Sequence, residues 1–251
     1  QLSNLKAHLY KQILISLRLN PGNQNVRVQI REQLDFATIL YQKGLYKQSL
    51  KILDKAKSIA LENEESNLAY EIVELEKVVE SQYITRSMSS RADDLIAESK
   101  DLSERTLFLS KLSNLSLQLY SILLKKGYVS NDQDHMEIRR FFQSSLPEYN
   151  IRSLGFKERL YLYKALLWYS LITQDFLKSY KYAQKWVDLF DDHPKMKRSN
   201  PVFYLKGVNY LLDSLFLNQH LTKFRSTLNH FEEELKNQSF TLNENTESLA
   251  F

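Results

Sequence analysis

The sequence has no cysteine and few residues that break helices. Its 251 residues include five glycines and four prolines, whereas average usage would give about 18 and about 13. Without cysteine, disulfide frameworks, thiolate metal sites and cysteine nucleophiles are excluded. The shortage of glycine and proline leaves little room for the many tight turns of a β-sandwich or barrel, or for a glycine-rich phosphate loop. The composition therefore predicts an all-α protein.

The net charge of +4 hides a strong alternation along the chain. Residues 1–60 carry ten basic and three acidic side chains, and residues 61–104 carry four and twelve. Alternating blocks in a helical protein are typical of faces that complement each other, whereas a nucleic-acid binder more often shows one continuous basic face. The absence of cysteine fits a reducing compartment, so the cytoplasm is the expected location.

No targeting or membrane segment is predicted. The most apolar stretch, residues 160–172, is interrupted by Lys164 and Ser170 and is shorter than the roughly 20 residues that a spanning helix needs. The sequence begins at Gln1 rather than methionine, and residues 246–251 read as the start of a helix that is cut off. We therefore expect the native N-terminus to be missing and the chain to be part of a longer protein.

Apolar residues recur at helical spacing along almost the whole chain. We predict one helical-repeat domain over residues 1–236, with a sub-boundary near 127–150 as an option, followed by a polar tail at 237–251. A first helix should stop at Asn20-Pro21-Gly22, and a break is expected at 87–90. The pattern over 91–126 is long for one globular helix, so one helix and two helices with a break near Ser103 or Ser113 both stay open. The remaining predicted helices cover residues 26–44, 45–60, 68–82, 131–146, 155–173, 176–190, 201–217 and 221–236, with a loop at 191–198.

Three helical hairpins share one pattern, best seen in Gly44-x-Tyr46-x-x-Ser49-x-x-x-Leu53-x-x-Ala56. The spacing resembles the tetratricopeptide repeat, in which small residues let two antiparallel helices approach and an aromatic residue after the turn fills the gap to the next hairpin. The second and third turns, at Gln174 and Gln219, lie 45 residues apart, against about 34 in that family. The run DFATILYQKGLYKQSLKILDKAKSIA also looks like uncharacterised bacterial helical-repeat proteins. The resemblance implies an irregular, right-handed α-solenoid of antiparallel hairpins, and the alternative is a plain helical bundle.

The sequence offers no catalytic constellation. Its five histidines are scattered, and neither a His-Glu-x-x-His motif nor a Gly-x-Ser-x-Gly elbow is present. Asp132-x-x-His135 and Asp191-Asp192-His193 are carboxylate–imidazole neighbours, but helix capping explains both. We therefore expect a non-enzymatic protein without metal or cofactor.

The resemblance implies a groove formed by the leading helix of each hairpin. Its positions are Arg31, Leu34, Thr38 and Tyr41 in the first hairpin, Tyr161, Lys164, Trp168 and Leu171 in the second, and Lys206, Asn209, Asp213 and Phe216 in the third. The predicted site is Tyr161, Lys164, Trp168, Lys206, Asn209 and Asp213. Lysine would meet an acidic group of a partner, asparagine its backbone, and tryptophan an apolar side chain.

The expected function is a scaffold that binds a protein or peptide. The alternatives are the sensor or regulatory region of a larger signalling or transcription protein and, ranked below it, a nucleic-acid-binding helical repeat.

Overall fold

The computed structural model describes residues 2–19, 25–82 and 89–237. Over these ranges all regular structure is helical, with eleven helices and no strand, which confirms the predicted all-α class. The helices are α1 (Leu2–Leu19), α2 (Val26–Gln42), α3 (Tyr46–Glu62), α4 (Ser66–Gln82), α5 (Ser89–Lys126), α6 (Asp132–Ser145), α7 (Phe156–Ile172), α8 (Phe176–Asp191), α9 (Pro194–Ser199), α10 (Pro201–Leu217) and α11 (Leu221–Lys236). The predicted stop at residues 20–22, the break at 87–88 and the tail from residue 238 onward lie outside the described residues.

One helix decides between two alternatives that the sequence left open, and another was not predicted. The pattern over 91–126 forms one continuous helix, α5, of 38 residues. The stretch 191–198, predicted as a loop, contains the short helix α9. Pro194 begins α9, where its missing N–H costs no helical hydrogen bond, and Met196 from this helix is buried in the core.

Neighbouring helices pack in pairs: α2 with α3, α3 with α4, α7 with α8, α8 with α10, and α10 with α11. The chain forms two compact units, Gln1–Ser103 and Glu104–Phe251. The division lies within α5, upstream of the predicted sub-boundary at 127–150. The two units are described separately below as unit 1 and unit 2.

Unit 1 is held together by small residues and by a buried ion cluster. Ala37 and Ala56 are fully buried, and the Ser49 hydroxyl donates to the Ala37 carbonyl at 2.8 Å, as the predicted close approach of α2 and α3 requires. Deeper in the unit, the Lys57 ammonium donates to the carboxylate of fully buried Glu76 at 2.7 Å.

Unit 2 contains two hydrophobic clusters. One joins α5, α6 and α7 through residues that include Leu112, Leu115 and Leu119. The other has members from all five helices α7, α8, α9, α10 and α11 and is centred on Trp186 and Phe190. Because α7 contributes to both clusters, it is packed on two sides, and only part of its surface is left for solvent.

Four helix pairs are joined by the same turn. The backbone has positive φ at Gly44 (+73°), Glu64 (+58°), Gln174 (+55°) and Gln219 (+57°). At each turn the next residue donates its N–H to the carbonyl five positions earlier, at 2.8–2.9 Å, which is the hydrogen bond of a Schellman helix end. The turn at Glu64 lies in the gap between the predicted helices 45–60 and 68–82, although the repeat pattern did not identify it.

Candidate functional site

Helices α7 and α10 of unit 2 meet through their side chains and place most of the predicted site residues on one face. The Tyr161 and Phe203 ring centroids are 6.0 Å apart, and those of Trp168 and Tyr210 are 5.9 Å apart. Both pairs are separated by 42 residues, so the two helices run parallel and in register. We call this surface the α7–α10 face. Its members are Tyr161, Lys164 and Trp168 from α7, and Phe203, Lys206, Asn209, Tyr210 and Asp213 from α10.

The position of α10 depends on a close contact with α8. The side chain of Trp186, 1% exposed, fills the space beside Gly207, and its indole N–H donates to the Phe203 carbonyl at 3.0 Å. A Cβ atom added to Gly207 would lie 2.7 Å from Trp186 Cδ1. Only glycine therefore lets α10 approach α8 at this point, one residue after Lys206.

Trp168 lies at the centre of the α7–α10 face. Its ring meets Tyr120 of α5 at 5.5 Å and Tyr210 at 5.9 Å, both in T-shaped geometry. Such pairs contribute about 0.5–1.5 kcal/mol each beyond burial. The side chain is only partly buried. Trp168 therefore packs against two tyrosines and still presents part of its indole to solvent.

The basic part of the face is not neutralised from within. Lys164 is partly buried and Lys206 is exposed, and neither forms an ion pair with a described carboxylate. Burial lowers the pKa of Lys164, and the positive charge of Lys206 lowers it further. The Lys164 ammonium lies 5.7 Å from the centre of the Tyr161 ring. The ammonium groups of Lys164 and Lys206 thus lie in an aromatic environment without a carboxylate of the described chain to balance their charge.

Asp213 forms the acidic end of the face, two helical turns after Lys206. Its side chain reaches solvent, yet the surrounding protein raises the pKa of its carboxyl through desolvation. The pKa of Tyr210 is raised by burial first and then by the charge of Asp213 and the neighbouring Tyr120. Asp213 has no ion-pair partner among residues 25–82 and 89–237.

The structure thus brings five predicted residues, Tyr161, Lys164, Trp168, Lys206 and Asp213, to one face. Asn209 is partly buried and shares the side of α10 that carries Lys206 and Asp213 by its helical spacing.

Sequence reasoning missed two aromatic members of this surface, Phe203 and Tyr210, and also Tyr120, which packs against it from α5. Phe203 and Tyr210 follow the same helical spacing as Lys206, so periodicity could have found them. Tyr120 comes from a distant helix, and no local pattern points to it.

The side chains at the predicted groove positions of the first hairpin contact other residues of unit 1. Arg31 pairs with Glu71 at 4.0 Å, Leu34 is buried, the Thr38 hydroxyl donates to the Leu34 carbonyl at 2.8 Å, and Tyr41 contacts the ring of Tyr46. An open groove of about 510 Å³ lies nearby; it is lined by Leu14, Leu17, Arg18, Val28, Arg31, Leu34, Asp35 and Glu71. Arg31, by contrast with Lys164, Lys206 and Asp213, has an ion-pair partner within the described chain.

Within the part of the chain that the structure describes, no group of three or more histidine and carboxylate side chains is close enough to hold a metal ion. Instead, Asn131 caps α6 by accepting the Asp134 N–H at 2.8 Å, and His193 precedes α9 with its ring against Phe156.

No known family model, curated protein or solved structure matches this chain. One described segment, Arg91–Lys126 of α5, is long and apolar enough to cross a bilayer by length and composition, with a mean hydropathy of 1.2 in its most apolar window. The same helix contributes Leu112, Leu115 and Leu119 to the core of unit 2, a role that by itself accounts for part of this apolar character.

Proposed function

We propose that this protein is a non-enzymatic, tetratricopeptide-like helical-repeat scaffold that binds a protein or peptide segment on the α7–α10 face. The observation that carries the proposal is a set of charges, Lys164, Lys206 and Asp213, that surrounds a partly exposed tryptophan without ion-pair partners in the described chain. Lys164 is partly removed from water, and charged groups in such a position usually find a partner inside the fold. Charges that stay unpaired beside an exposed aromatic anchor suit a ligand that supplies the missing partners.

The repeat-like arrangement supports the same proposal. The parallel register of α7 and α10 and the recurring turn at four helix pairs are expected of stacked hairpins, which expose the leading helices on one side. We therefore propose the irregular α-solenoid as the architecture that forms this face.

The experiment uses a library of random twelve-residue peptides displayed on phage and selected against the whole chain. Affinities of the enriched peptides are then measured by fluorescence anisotropy. Trp168→Ala should weaken binding by about 2 kcal/mol or more, roughly 30-fold, whereas the more peripheral Lys206→Ala should cost less. Lys236→Ala, at an exposed lysine on α11, is the matched control and should change nothing.

Because Trp168 also packs against Tyr120 and Tyr210, its removal can damage the fold. Trp168→Phe keeps an aromatic ring, so a loss of binding with an unchanged melting temperature would separate the two roles. The proposal would be contradicted if Trp168→Ala showed a large fall in melting temperature while the folded variants Lys206→Ala and Trp168→Phe bound the peptides as well as wild type does.

The runner-up functions make different predictions. A nucleic-acid binder would retain DNA or RNA at low salt and lose it steeply as salt rises, because phosphate contacts release counterions. A sensor or regulatory region would bind its ligand through the same face and change the activity of a domain attached to it.

A further inference from the structure

The charges on the α7–α10 face are segregated by sign. Lys164 and Lys206 are 42 residues apart, the same offset as the two contacting ring pairs, so they lie at the same level of α7 and α10; the charge of Lys206 accordingly lowers the pKa of Lys164. Asp213 is at the other end, and the lysines do not contribute to the shift in its pKa. Between the two ends lie Trp168 and Tyr210, with ring centroids 5.9 Å apart. The face thus presents a basic end, an aromatic middle and an acidic end.

The distance between the two ends follows from helix geometry. Lys206 and Asp213 are seven residues apart on one helix, so they lie on nearly the same side, about 10 Å apart along its axis. An extended polyproline-II segment advances about 3.1 Å per residue and repeats its side after three residues, which gives about 9 Å. A β-strand matches less well, because same-side residues lie about 7 or about 13 Å apart. Aromatic-lined surfaces are also the surfaces on which polyproline-II segments dock.

Resting on the function proposed above, we propose that the bound segment is extended and bipolar. It carries an acidic side chain that meets Lys164 and Lys206, and a basic side chain about three residues away that meets Asp213, with an apolar residue between them against Trp168 and Tyr210. The opposite charge arrangement is disfavoured, because it would place like charges together at both ends.

The test compares three versions of the whole chain in the same twelve-residue phage library: wild type, Asp213→Lys and Lys206→Glu. Both positions are exposed and lack ion-pair partners in the described chain, so the variants should fold, and circular dichroism melting verifies this. Asp192→Lys, at an exposed aspartate after α8, is the matched control.

We expect wild-type selection to enrich an acidic and a basic residue three positions apart. Asp213→Lys should replace the basic preference with an acidic one and leave the first acidic preference in place. For one selected peptide, changing its basic residue to glutamate should weaken binding to wild type about tenfold, and Asp213→Lys should restore it. Asp192→Lys should leave the enriched pattern unchanged.

Two other outcomes separate this inference from the proposed function. Enriched peptides that lose binding with Trp168→Phe or Lys206→Ala but show no basic preference would overturn the bipolar segment and leave the binding face intact. A seven-residue spacing of the two charges would overturn the extended conformation in favour of a helix. Enriched peptides that none of the variants on the α7–α10 face affects would overturn both proposals.

Discussion

Gly207→Ala should destabilise unit 2, although alanine is the better helix former. The added Cβ would lie 2.7 Å from Cδ1 and 2.8 Å from Nε1 of Trp186, about 1 Å closer than a normal contact. Overpacking of this kind costs about 1–3 kcal/mol. If the indole moves instead, its hydrogen bond to the Phe203 carbonyl is lost, and a buried unpaired N–H costs about 1–3 kcal/mol. The gain in helix propensity is about 1 kcal/mol.

The net loss in unfolding free energy is therefore about 1 kcal/mol, which should lower the melting temperature by about 2–4 °C. Both tryptophans of the chain, Trp168 and Trp186, lie in unit 2, so tryptophan fluorescence reports the unfolding of this unit. A double-mutant cycle provides the control: in a Trp186→Ala background the ring atoms that clash are absent, and Gly207→Ala should be neutral or stabilising. An increase in melting temperature for Gly207→Ala alone would refute the reasoning.

Three further predictions concern other parts of the molecule. Gln219→Gly should raise the unfolding free energy by about 1 kcal/mol in urea denaturation, because glycine relieves the strain of a positive φ, and Gly44→Ala should lower it by a similar amount. Lys57→Met should cost about 3 kcal/mol by leaving Glu76 buried beside fewer positive charges, and the double change Lys57→Met with Glu76→Leu should recover most of the loss. Lys164→Met should raise the melting temperature at pH 7. The pKa of Lys164 in the folded state is below its ordinary value, which means that protonation of this lysine opposes folding. The gain in melting temperature should therefore shrink as the pH rises through the lowered pKa and the wild-type lysine loses its proton.

The helices could be predicted from the sequence because their signals are local. Apolar spacing indicated the middle of each helix except α9, and Gly127, with φ of +77°, follows α5 as a left-handed helix cap. Glycine alone was a poor guide to the turns, since Glu64, Gln174 and Gln219 adopt the same backbone conformation. Pro194 begins α9, which has only six residues. A helix of this length is too short to show a periodic apolar pattern, so the sequence did not reveal it.

The candidate site could be predicted only in part because it depends on register. The resemblance to the tetratricopeptide repeat pointed to Tyr161, Lys164 and Trp168, but the residues of α10 that they contact depend on how far α10 is shifted along α7. Equivalent hairpin positions are 45 residues apart, whereas the contacting rings are 42 apart, so each α7 residue meets α10 almost one turn earlier. Because of this shift, Trp168 contacts Tyr210 and not Asp213. The spacing of residues in the sequence does not reveal the shift.

The α7–α10 face differs from the rest of the described fold in whether its partly buried lysine has a carboxylate partner. Burial lowers the pKa of Lys57 and of Lys197, but hydrogen bonds to carboxylates outweigh burial and leave both values raised. Lys57 lies 2.7 Å from Glu76, and Lys197 lies 2.6 Å from Glu234. Lys164 is also partly buried, yet the charge that acts on it comes from a second lysine. Since a methionine would fill the same space without the desolvation cost, packing does not account for the amine. A carboxylate from outside the described chain would complete at Lys164 the arrangement that the fold itself completes at the other two lysines.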